Sequence, residues 1–250
     1  MSKKNILSIP YDNVTMQEAL ALAASACKKE GVTCVVTPNA EIAESCLENE
    51  ETRRAILSAD IILPDGAGVI LASELLGAPL KEKVAGVEFG EALLALAAKA
   101  HYGVYFLGGK PTVAEIAAKK MQEKYPALNV VGTHDGYFEK SGEENAAVLD
   151  GINRSGAEIL YVCFGAPMQE RWLAENKKHL KTVRLAACLG GSLDIYAGTA
   201  KRAPDLFIRL RAEWLYRLMR SPSRLPRMMN LPKYVVTALC RRIQNGKQEK

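Results

Sequence analysis

The feature that most constrains the fold is a repeated alternation between short apolar runs and longer, amphipathic segments. Six runs of four to seven residues are apolar almost throughout. Such runs are typical of central strands in a parallel sheet, which are buried on both faces. The six predicted strands are 33–37, 60–63, 104–107, 128–131, 158–164 and 184–188.

Helix candidates lie between these runs and begin at recognisable capping residues. Thr15, Thr112 and Ser141 are each followed three positions later by a glutamate, which is the pattern of a capping box. Alternation of strands and helices predicts a doubly wound α/β domain with a mostly parallel, Rossmann-like sheet and right-handed crossovers. We place this domain at residues 1–195 and a basic, helical C-terminal appendage at residues 196–250.

Polar loops rich in glycine and proline follow the predicted strands. In doubly wound sheets, ligands bind beyond the carboxyl ends of the strands, so these loops are expected to form one active site. Asp65 lies between Pro64 and Gly66 after the second strand. Its position makes it a candidate general base, with an ordinary Asp-Gly turn as the alternative.

Four further residues at strand ends are candidate substrate-binding groups. Thr37 and Asn39 follow the first strand and offer short hydrogen-bonding side chains, with a turn and a helix N-cap as the alternative roles. Gln169 and Glu170 place an amide and a carboxylate at a predicted helix start. Their alternative roles are helix capping and compensation of the helix dipole.

A glycine pair, Gly108 and Gly109, follows the third strand and precedes a predicted helix. Glycines at such a place let backbone amides approach a phosphate. The surrounding residues form neither a Walker A loop nor a Gly-x-Gly-x-x-Gly fingerprint, which disfavours a nicotinamide dehydrogenase. A Gly-x-Ser-x-Gly nucleophile elbow is also absent. The residue types present favour group transfer from a donor that carries a diphosphate.

The last fifty residues carry a positive charge that the rest of the chain lacks. Residues 201–250 contain 13 Lys and Arg against 3 Asp and Glu, whereas residues 1–200 contain 20 against 25. Large apolar side chains are interleaved with these arginines. This composition suits an anionic membrane surface, where cations neutralise phosphates and apolar groups enter the headgroup boundary. An ordinary basic surface helix is the alternative.

A helix over residues 205–227 would give this tail two distinct faces. Arg217, Arg220 and Arg224 follow spacings of three and four and would share one face. The adjoining apolar stripe would contain Trp214, Leu215, Leu218 and Met219. No stretch approaches the roughly 20 apolar residues of a membrane-spanning helix, and the N-terminal residues lack the apolar region of a secretory signal. We therefore expect peripheral contact with the membrane from the cytoplasmic side.

Taken in order, these loops resemble the WecG/TagA/CpsF family of bacterial glycosyltransferases, over residues 6–227. The resemblance rests on segments 8–12, 37–41, 59–68, 106–111, 136–138, 165–170, 197–204 and 213–217. The family transfers a sugar from a nucleotide diphosphate donor to a lipid-linked acceptor at the inner face of the membrane. Its best-known members move N-acetylmannosamine (ManNAc) from the UDP sugar to undecaprenyl-diphosphate-linked N-acetylglucosamine (GlcNAc). That step builds teichoic acid linkage units or enterobacterial common antigen.

The resemblance also implies roles for individual residues. Asp65 would be the catalytic base, and Thr37 and Gln169 would lie in the donor and acceptor pocket. The arginine-rich appendage would close over the diphosphate and dock to the membrane. Independently of the resemblance, three arginines on one helix face are more concentrated than lipid attraction requires, so we expect Arg217 or Arg224 to act on the diphosphate. Lys83, Arg202 and Arg220 complete the expected substrate-binding set.

Several positions depart from the family pattern. Lys83 stands where arginine is usual, which keeps the charge but loses the planar fork. Ala85 and Glu88 stand where threonine and aspartate are usual, Met168 stands where lysine is usual, and Arg211-Ala212 replaces a Gly-Leu pair. These departures bear on which sugar is used more than on the class of reaction.

No metal or other cofactor is expected. The six cysteines form no Cys-x-x-Cys pair, the three histidines are widely separated, and an Asp-x-Asp pair is absent. Arginines and backbone amides are expected to offset the diphosphate charge instead. We therefore expect an inverting, metal-independent transferase.

Two alternative functions remain. The same fold could take another UDP-hexose for capsule or exopolysaccharide, or it could serve as a non-catalytic nucleotide-sugar-binding membrane adaptor. A nucleic-acid partner is not expected, because the positive charge is confined to one end and no DNA- or RNA-binding motif accompanies it. The oligomeric state stays open, with a homo-oligomer as one option.

Overall fold

The computed structural model describes residues 2–204, 207, 213–220, 225 and 229–248. Its strands are β1 (Lys3–Ile6), β2 (Ile9–Asp12), β3 (Thr33–Val36), β4 (Ile61–Ile62), β5 (Gly103–Gly108), β6 (Asn129–His134), β7 (Ile159–Cys163) and β8 (Leu185–Cys188). Its helices are α1 (Met16–Ala26), α2 (Ala40–Glu48), α3 (Glu50–Leu57), α4 (Ala67–Leu75), α5 (Gly86–Ala100), α6 (Val113–Lys124), α7 (Gly142–Arg154), α8 (Met168–Asn176), α9 (Ser192–Ala197), α10 (Glu213–Arg220) and α11 (Asn230–Gln248). A 3₁₀ turn over Lys177–His179 follows α8.

Six strands form one parallel sheet in the order β4-β3-β8-β7-β5-β6. Each corresponds to a predicted strand, so the doubly wound, Rossmann-like α/β fold is confirmed. Alternate residues of a central strand face opposite layers of helices, as the pleat requires. In β7, Leu160 and Val162 pack in one apolar core, while Ile159, Tyr161 and Cys163 pack in the other. This two-sided burial explains why the strands are apolar throughout.

A two-stranded antiparallel hairpin, β1–β2, precedes the sheet and was not predicted. Its turn consists of Leu7 and Ser8, both with positive φ (49° and 76°), and neither is a typical residue for a hairpin turn. The side chains of Ile9 and Tyr11 are buried in the core. The hairpin lies beside β4, where the backbone N–H of Ile62 donates to Oδ2 of Asp12 at 2.8 Å.

Only the first of the three predicted capping boxes is present. Thr15 caps α1: its hydroxyl accepts from the N–H of Glu18 at 3.2 Å, and its own N–H donates to the Glu18 carboxylate at 2.8 Å. The prediction was wrong at Thr112, which has a φ of 73° and makes no side-chain cap bond. It was also wrong at Ser141, because the Glu144 carboxylate accepts from the N–H of Glu139 instead.

The last helix, α11, packs against α2 and α4. Tyr234 and Ala238 on its inner face are fully buried, so this part of the proposed appendage contributes to the core. α9 spans the proposed boundary at residue 195, and the division into two units stays a prediction. Within the predicted helix over residues 205–227, the described part includes α10, whereas Arg224 lies outside the described residues.

Among the described residues, no helix has both the length and the apolar character needed to cross a bilayer.

Candidate active site

A cleft of about 1310 Å³ lies at the carboxyl edge of the sheet. Loops that follow β3 to β8 form its walls, together with the start of α5 and part of α10. This is the edge at which doubly wound sheets bind ligands. The sequence-predicted site residues that line it are Thr37, Asn39, Asp65, Gly109, Gln169 and Arg202.

Asp65 lies after β4 and is held beside the N terminus of α5. The N–H of Val84 donates to the carbonyl oxygen of Pro64 at 2.8 Å, and the N–H of Gly86 donates to Oδ2 of Asp65 at 3.4 Å. The positive end of the α5 dipole therefore faces the carboxylate. Gly66, with a φ of 84°, lets the chain turn directly into α4. The carboxylate is thus presented at the cleft from a fixed loop.

Gly86 allows α5 to approach the end of β3 closely. A Cβ at this position would lie 2.7 Å from Oγ1 of Thr37, so a larger residue would push the helix away. The Thr37 hydroxyl also donates to the carbonyl oxygen of Cys188 at 3.4 Å. Thr37 therefore lies between the segment that supports Asp65 and the end of β8, on the floor of the cleft.

Asn39 has the capping role that was its alternative interpretation. Its Oδ1 accepts from the N–H of Ile42 at 3.0 Å and caps α2. The residue also lines the cleft, so capping and substrate contact are compatible. Its binding role stays a prediction.

Gln169 joins the loops that follow β7 and β8. Its Oε1 accepts from the N–H groups of Gly165 at 3.3 Å and Gly190 at 3.1 Å. Its Nε2 donates to Oε1 of Glu170 at 2.8 Å. Gln169 therefore positions two walls of the cleft, and its contact with substrate stays a prediction. Glu170 is 3% exposed and is not among the lining residues.

Burial raises the pKa of the Glu170 carboxyl above its ordinary value, although the hydrogen bond from Gln169 opposes that shift. In the unfolded chain Glu170 ionises near 4.5, whereas the folded carboxyl keeps its proton to a higher pH. The folded state then binds more protons than the unfolded state. Glu170 therefore destabilises the protein increasingly as pH rises from its unfolded-state pKa to its higher folded-state pKa.

We accordingly expect Glu170→Gln to raise Tm by about 2–4 °C at pH 8, equivalent to about 1 kcal/mol for a chain of this size. The gain should be smaller at pH 5, where more of the wild-type carboxyl is protonated. Thermal unfolding at the two pH values measures both effects. Glu175→Gln, an exposed position on the same helix, is the matched control and should change little. An equal gain at both pH values would contradict the assigned cause.

The two glycines of the predicted phosphate loop have different surroundings. Gly109 lines the cleft, its N–H donates to the carbonyl oxygen of Cys163 at 3.0 Å, and its carbonyl oxygen accepts from the N–H of Gly136 at 2.8 Å. Gly108 is not among the lining residues. A Cβ on Gly108 would lie 2.3 Å from the carbonyl oxygen of Cys163, and its φ is 138°. Close strand packing therefore requires Gly108, and its substrate-binding role stays a prediction.

Gly108→Ala should lower the free energy of unfolding by about 3 kcal/mol, because it adds a backbone clash to an unfavourable φ. Gly156→Ala is the control: its φ is 70°, but no atom lies within 4 Å of the added Cβ. That variant should lose only about 1 kcal/mol. Urea denaturation measures both values. Similar losses of unfolding free energy in the two variants would show that packing is not the main role of Gly108. A Gly108→Ala protein of normal stability that fails to bind UDP would show the same.

Two predicted cationic residues are held in ion pairs near the cleft. Nζ of Lys83 lies 3.6 Å from Oε2 of Glu213 on α10, and Lys83 itself is not among the lining residues. Arg202 lines the cleft and pairs with Glu88 in the first turn of α5. The backbone of α10 includes Arg217 and Arg220. Their side chains, like Arg224 as a whole, lie outside the described part of the structure.

Sequence reasoning missed Lys140, which lines the cleft in the loop after β6. Its Nζ donates to the carbonyl oxygens of Gly136 at 2.8 Å and Phe138 at 2.6 Å. It also lies 3.6 Å from the ring centroid of Phe138 and 4.8 Å from that of Phe164. Desolvation lowers the pKa of Lys140. The sequence feature that could have identified this residue is a lysine two positions after an aromatic residue in a strand-end loop.

Tyr137, in the same loop, was also missed as a site residue. Tyr137 is 69% exposed and lines the cleft, while its N–H donates to Oδ1 of Asp135 at 2.7 Å. A large aromatic ring left exposed at a cleft is suited to contact with a ligand.

Among the residues that the structure describes, no group of three or more His, Cys, Asp or Glu side chains is arranged to hold a metal ion. The expected metal independence stays a prediction.

The parallel sheet and its edge cleft define a Rossmann-like α/β protein with a cleft beyond the strand ends, the place where such folds bind ligands. A sequence profile of the "Glycosyl transferase WecG/TagA/CpsF family" matches residues 4–248. The chain therefore belongs to this glycosyltransferase family, which confirms the resemblance found in the sequence.

Three relatives are similar over most of their length. Proteins of Bacillus spizizenii and Bacillus subtilis are 37% and 32% identical, over 82% and 96% of this chain and 78% and 92% of their own. A Staphylococcus aureus protein is 29% identical over 98% of this chain and 96% of its own. Each is named N-acetylglucosaminyldiphosphoundecaprenol N-acetyl-beta-D-mannosaminyltransferase.

Proposed function

We propose that this chain is an inverting glycosyltransferase that moves ManNAc from UDP-ManNAc to undecaprenyl-diphosphate-linked GlcNAc. The observation that carries the proposal is the half-buried Asp65, presented at the edge cleft of a family member. The names of the three relatives support the choice of sugar and acceptor. The product would serve a surface polymer such as the teichoic acid linkage unit.

In the proposed reaction, Asp65 accepts the proton of the acceptor hydroxyl. The hydroxyl oxygen forms a bond to the anomeric carbon from the face opposite UDP, while the bond from that carbon to the diphosphate oxygen breaks. The electron pair of the broken bond leaves with UDP, so the anomeric configuration inverts. Asp65 ends the step protonated, and UDP carries the additional negative charge.

Cations and backbone dipoles would offset the charge that develops on UDP. Arg202 and Lys140 line the cleft, and Lys83 lies at its edge through its pair with Glu213. Arg217, Arg220 and Arg224 would add charge from the appendage. The arginines can bind diphosphate oxygens with two parallel hydrogen bonds.

The lipid-linked acceptor would bring the protein to the inner face of the cell membrane, as a cytoplasmic, peripheral protein. On α10, Trp214, Leu215 and Met219 are exposed, Met219 to 67%. Exposed apolar groups in a basic segment suit the interface of an anionic bilayer. These observations support membrane docking by the appendage. A homo-oligomer stays a further option.

The decisive experiment is turnover of UDP-ManNAc with a lipid-diphosphate-GlcNAc acceptor, measured as UDP release. UDP-glucose, UDP-galactose and UDP-GlcNAc are tested in parallel with the same acceptor. ManNAc should be preferred at saturating acceptor. Preference for another UDP-hexose would move the function to capsule or exopolysaccharide synthesis. UDP-sugar binding without turnover on any acceptor would favour the adaptor alternative.

Activity should also persist in EDTA and respond little to added Mg²⁺ or Mn²⁺. The physical reason is that protein cations, rather than a divalent ion, are proposed to neutralise the diphosphate. Initial rates before and after EDTA treatment measure this, with a Mg²⁺ titration of the treated enzyme. Loss of activity that a divalent ion restores would overturn the proposal for charge neutralisation.

A further inference from the structure

The ion pair between Lys83 and Glu213 joins two distant parts of the chain across the edge of the cleft. Nζ and Oε2 are 3.6 Å apart, and the two side chains are 25% and 22% exposed. Such a pair is shielded from water more than a typical surface ion pair, so its attraction is screened less. The geometry therefore gives α10 a specific electrostatic attachment to the α/β domain.

The attachment point lies next to the segment that supports Asp65. Val84 follows Lys83 directly, and its N–H donates to the carbonyl oxygen of Pro64 at 2.8 Å. Two residues later, the N–H of Gly86 contacts the Asp65 carboxylate. A displacement of α10 would therefore be transmitted to the Asp65 loop through this short stretch of hydrogen-bonded backbone.

The α10 helix itself needs such an attachment. Its described part comprises eight residues, and a helical segment of that length is marginal in water without tertiary contacts. Tyr216 lines the cleft and packs against Phe207, with ring centroids 5.5 Å apart. Trp214 is 39% exposed on the same helix. Arg217 follows Glu213 by one helical turn, so whatever fixes Glu213 also fixes the backbone from which Arg217 extends.

We propose that Glu213 is a positioning residue whose ion pair with Lys83 latches α10 across the mouth of the cleft. This ion pair keeps Tyr216 in the wall of the cleft. It also links the docking of α10 on the α/β domain to the position of the Asp65 loop. The effect of this ion pair on turnover rests on the proposed function. The position of α10 can be measured without any substrate.

Trp214 reports the latch directly, because the other tryptophan, Trp172, is 1% exposed. Acrylamide, a neutral quencher, therefore acts mainly on Trp214. In Glu213→Gln, the quenching constant should rise by less than about twofold, because Trp214 is already 39% exposed and loss of a partly exposed ion pair shifts a local opening equilibrium by only about that factor. Glu91→Gln is the matched control: it breaks the Lys124–Glu91 pair on α5 and α6 with the same change in charge, and should leave quenching unchanged.

A double-mutant cycle separates the latch from a general charge effect. Lys83→Gln alone should raise quenching as Glu213→Gln does, and the double variant should rise no further. Glu213→Asp should retain part of the protection. Wild-type quenching in Glu213→Gln, or additive effects of the two changes, would overturn the proposal.

Turnover provides the second readout. With the latch broken, kcat/KM for transfer should fall by up to about twofold, in step with the shift of the opening equilibrium, whereas the Glu91→Gln variant should stay close to the wild type. A wild-type protein that turns over no UDP-sugar would refute the proposed function and leave the quenching result standing. If Glu213→Gln raises acrylamide quenching but leaves turnover normal, the ion pair positions α10 without affecting catalysis, and that part of the proposal is refuted.

Discussion

Asp65→Asn should lower turnover at least about 100-fold, the scale expected for loss of a general base. The amide oxygen of asparagine can still accept the N–H of Gly86, so the loop after β4 should keep its structure. The amide cannot take a proton from the acceptor hydroxyl at neutral pH. Folding and UDP binding should therefore stay nearly unchanged. Initial rates of UDP release, a UDP titration and Tm measure the three quantities.

Asp194→Asn is a matched control for this result. Asp194 also lines the cleft, but its Oδ1 accepts from the hydroxyl of Thr199 at 3.3 Å, a bond that an amide oxygen can replace. This variant should stay within about tenfold of the wild-type rate, the cost of a modified hydrogen bond. Wild-type turnover in Asp65→Asn would refute its role, and equal losses in both variants would point to general cleft electrostatics.

The second large effect concerns the arginines of the appendage. We expect Arg217→Ala or Arg224→Ala to lower turnover on a short, water-soluble acceptor by at least about 100-fold, because the proposed charge-assisted contact to the diphosphate would be lost. The same variant should still float with anionic vesicles, since one cation contributes only about 1 kcal/mol to lipid attraction. Single alanine variants at 217, 220 and 224 are compared in both assays.

Arg241→Ala, an exposed cation on α11, controls for general loss of positive charge. If all three appendage variants lose flotation while turnover on the soluble acceptor is normal, the appendage is only an anchor. Point changes are preferable to deletion of residues 201–250. Deletion would also remove Tyr234 and Ala238 from the core, so loss of activity would not separate catalysis from folding.

The sequence alone determined the six-stranded parallel sheet, the Thr15 cap and the cluster of polar loops at one sheet edge. These features follow from local patterns. Two-sided burial requires an apolar strand, and a capping box needs residues only three positions apart. Parallel strands then bring their carboxyl ends to one edge, which is why Thr37, Asp65 and Gln169 meet at the cleft. The family resemblance supplied the reaction that these residues are proposed to perform.

Tertiary structure decided what the local patterns could not encode. The β1–β2 turn adopts positive φ at Leu7 and Ser8, which do not favour it, because burial of the hairpin outweighs the local preference. Glu170 is buried under the cleft, although its place at a helix start also suits an exposed residue.

The ion pair of Lys83 with Glu213 and the contact of Lys140 with the Phe164 ring likewise depend on tertiary packing. Residues 83 and 213 are far apart in the chain, and several orders of the same six strands would satisfy the same apolar pattern. In the observed order, β4-β3-β8-β7-β5-β6, each of these partners lies within contact distance. The physical reason is that burial is encoded locally, whereas pairing between side chains is fixed by how the buried elements pack.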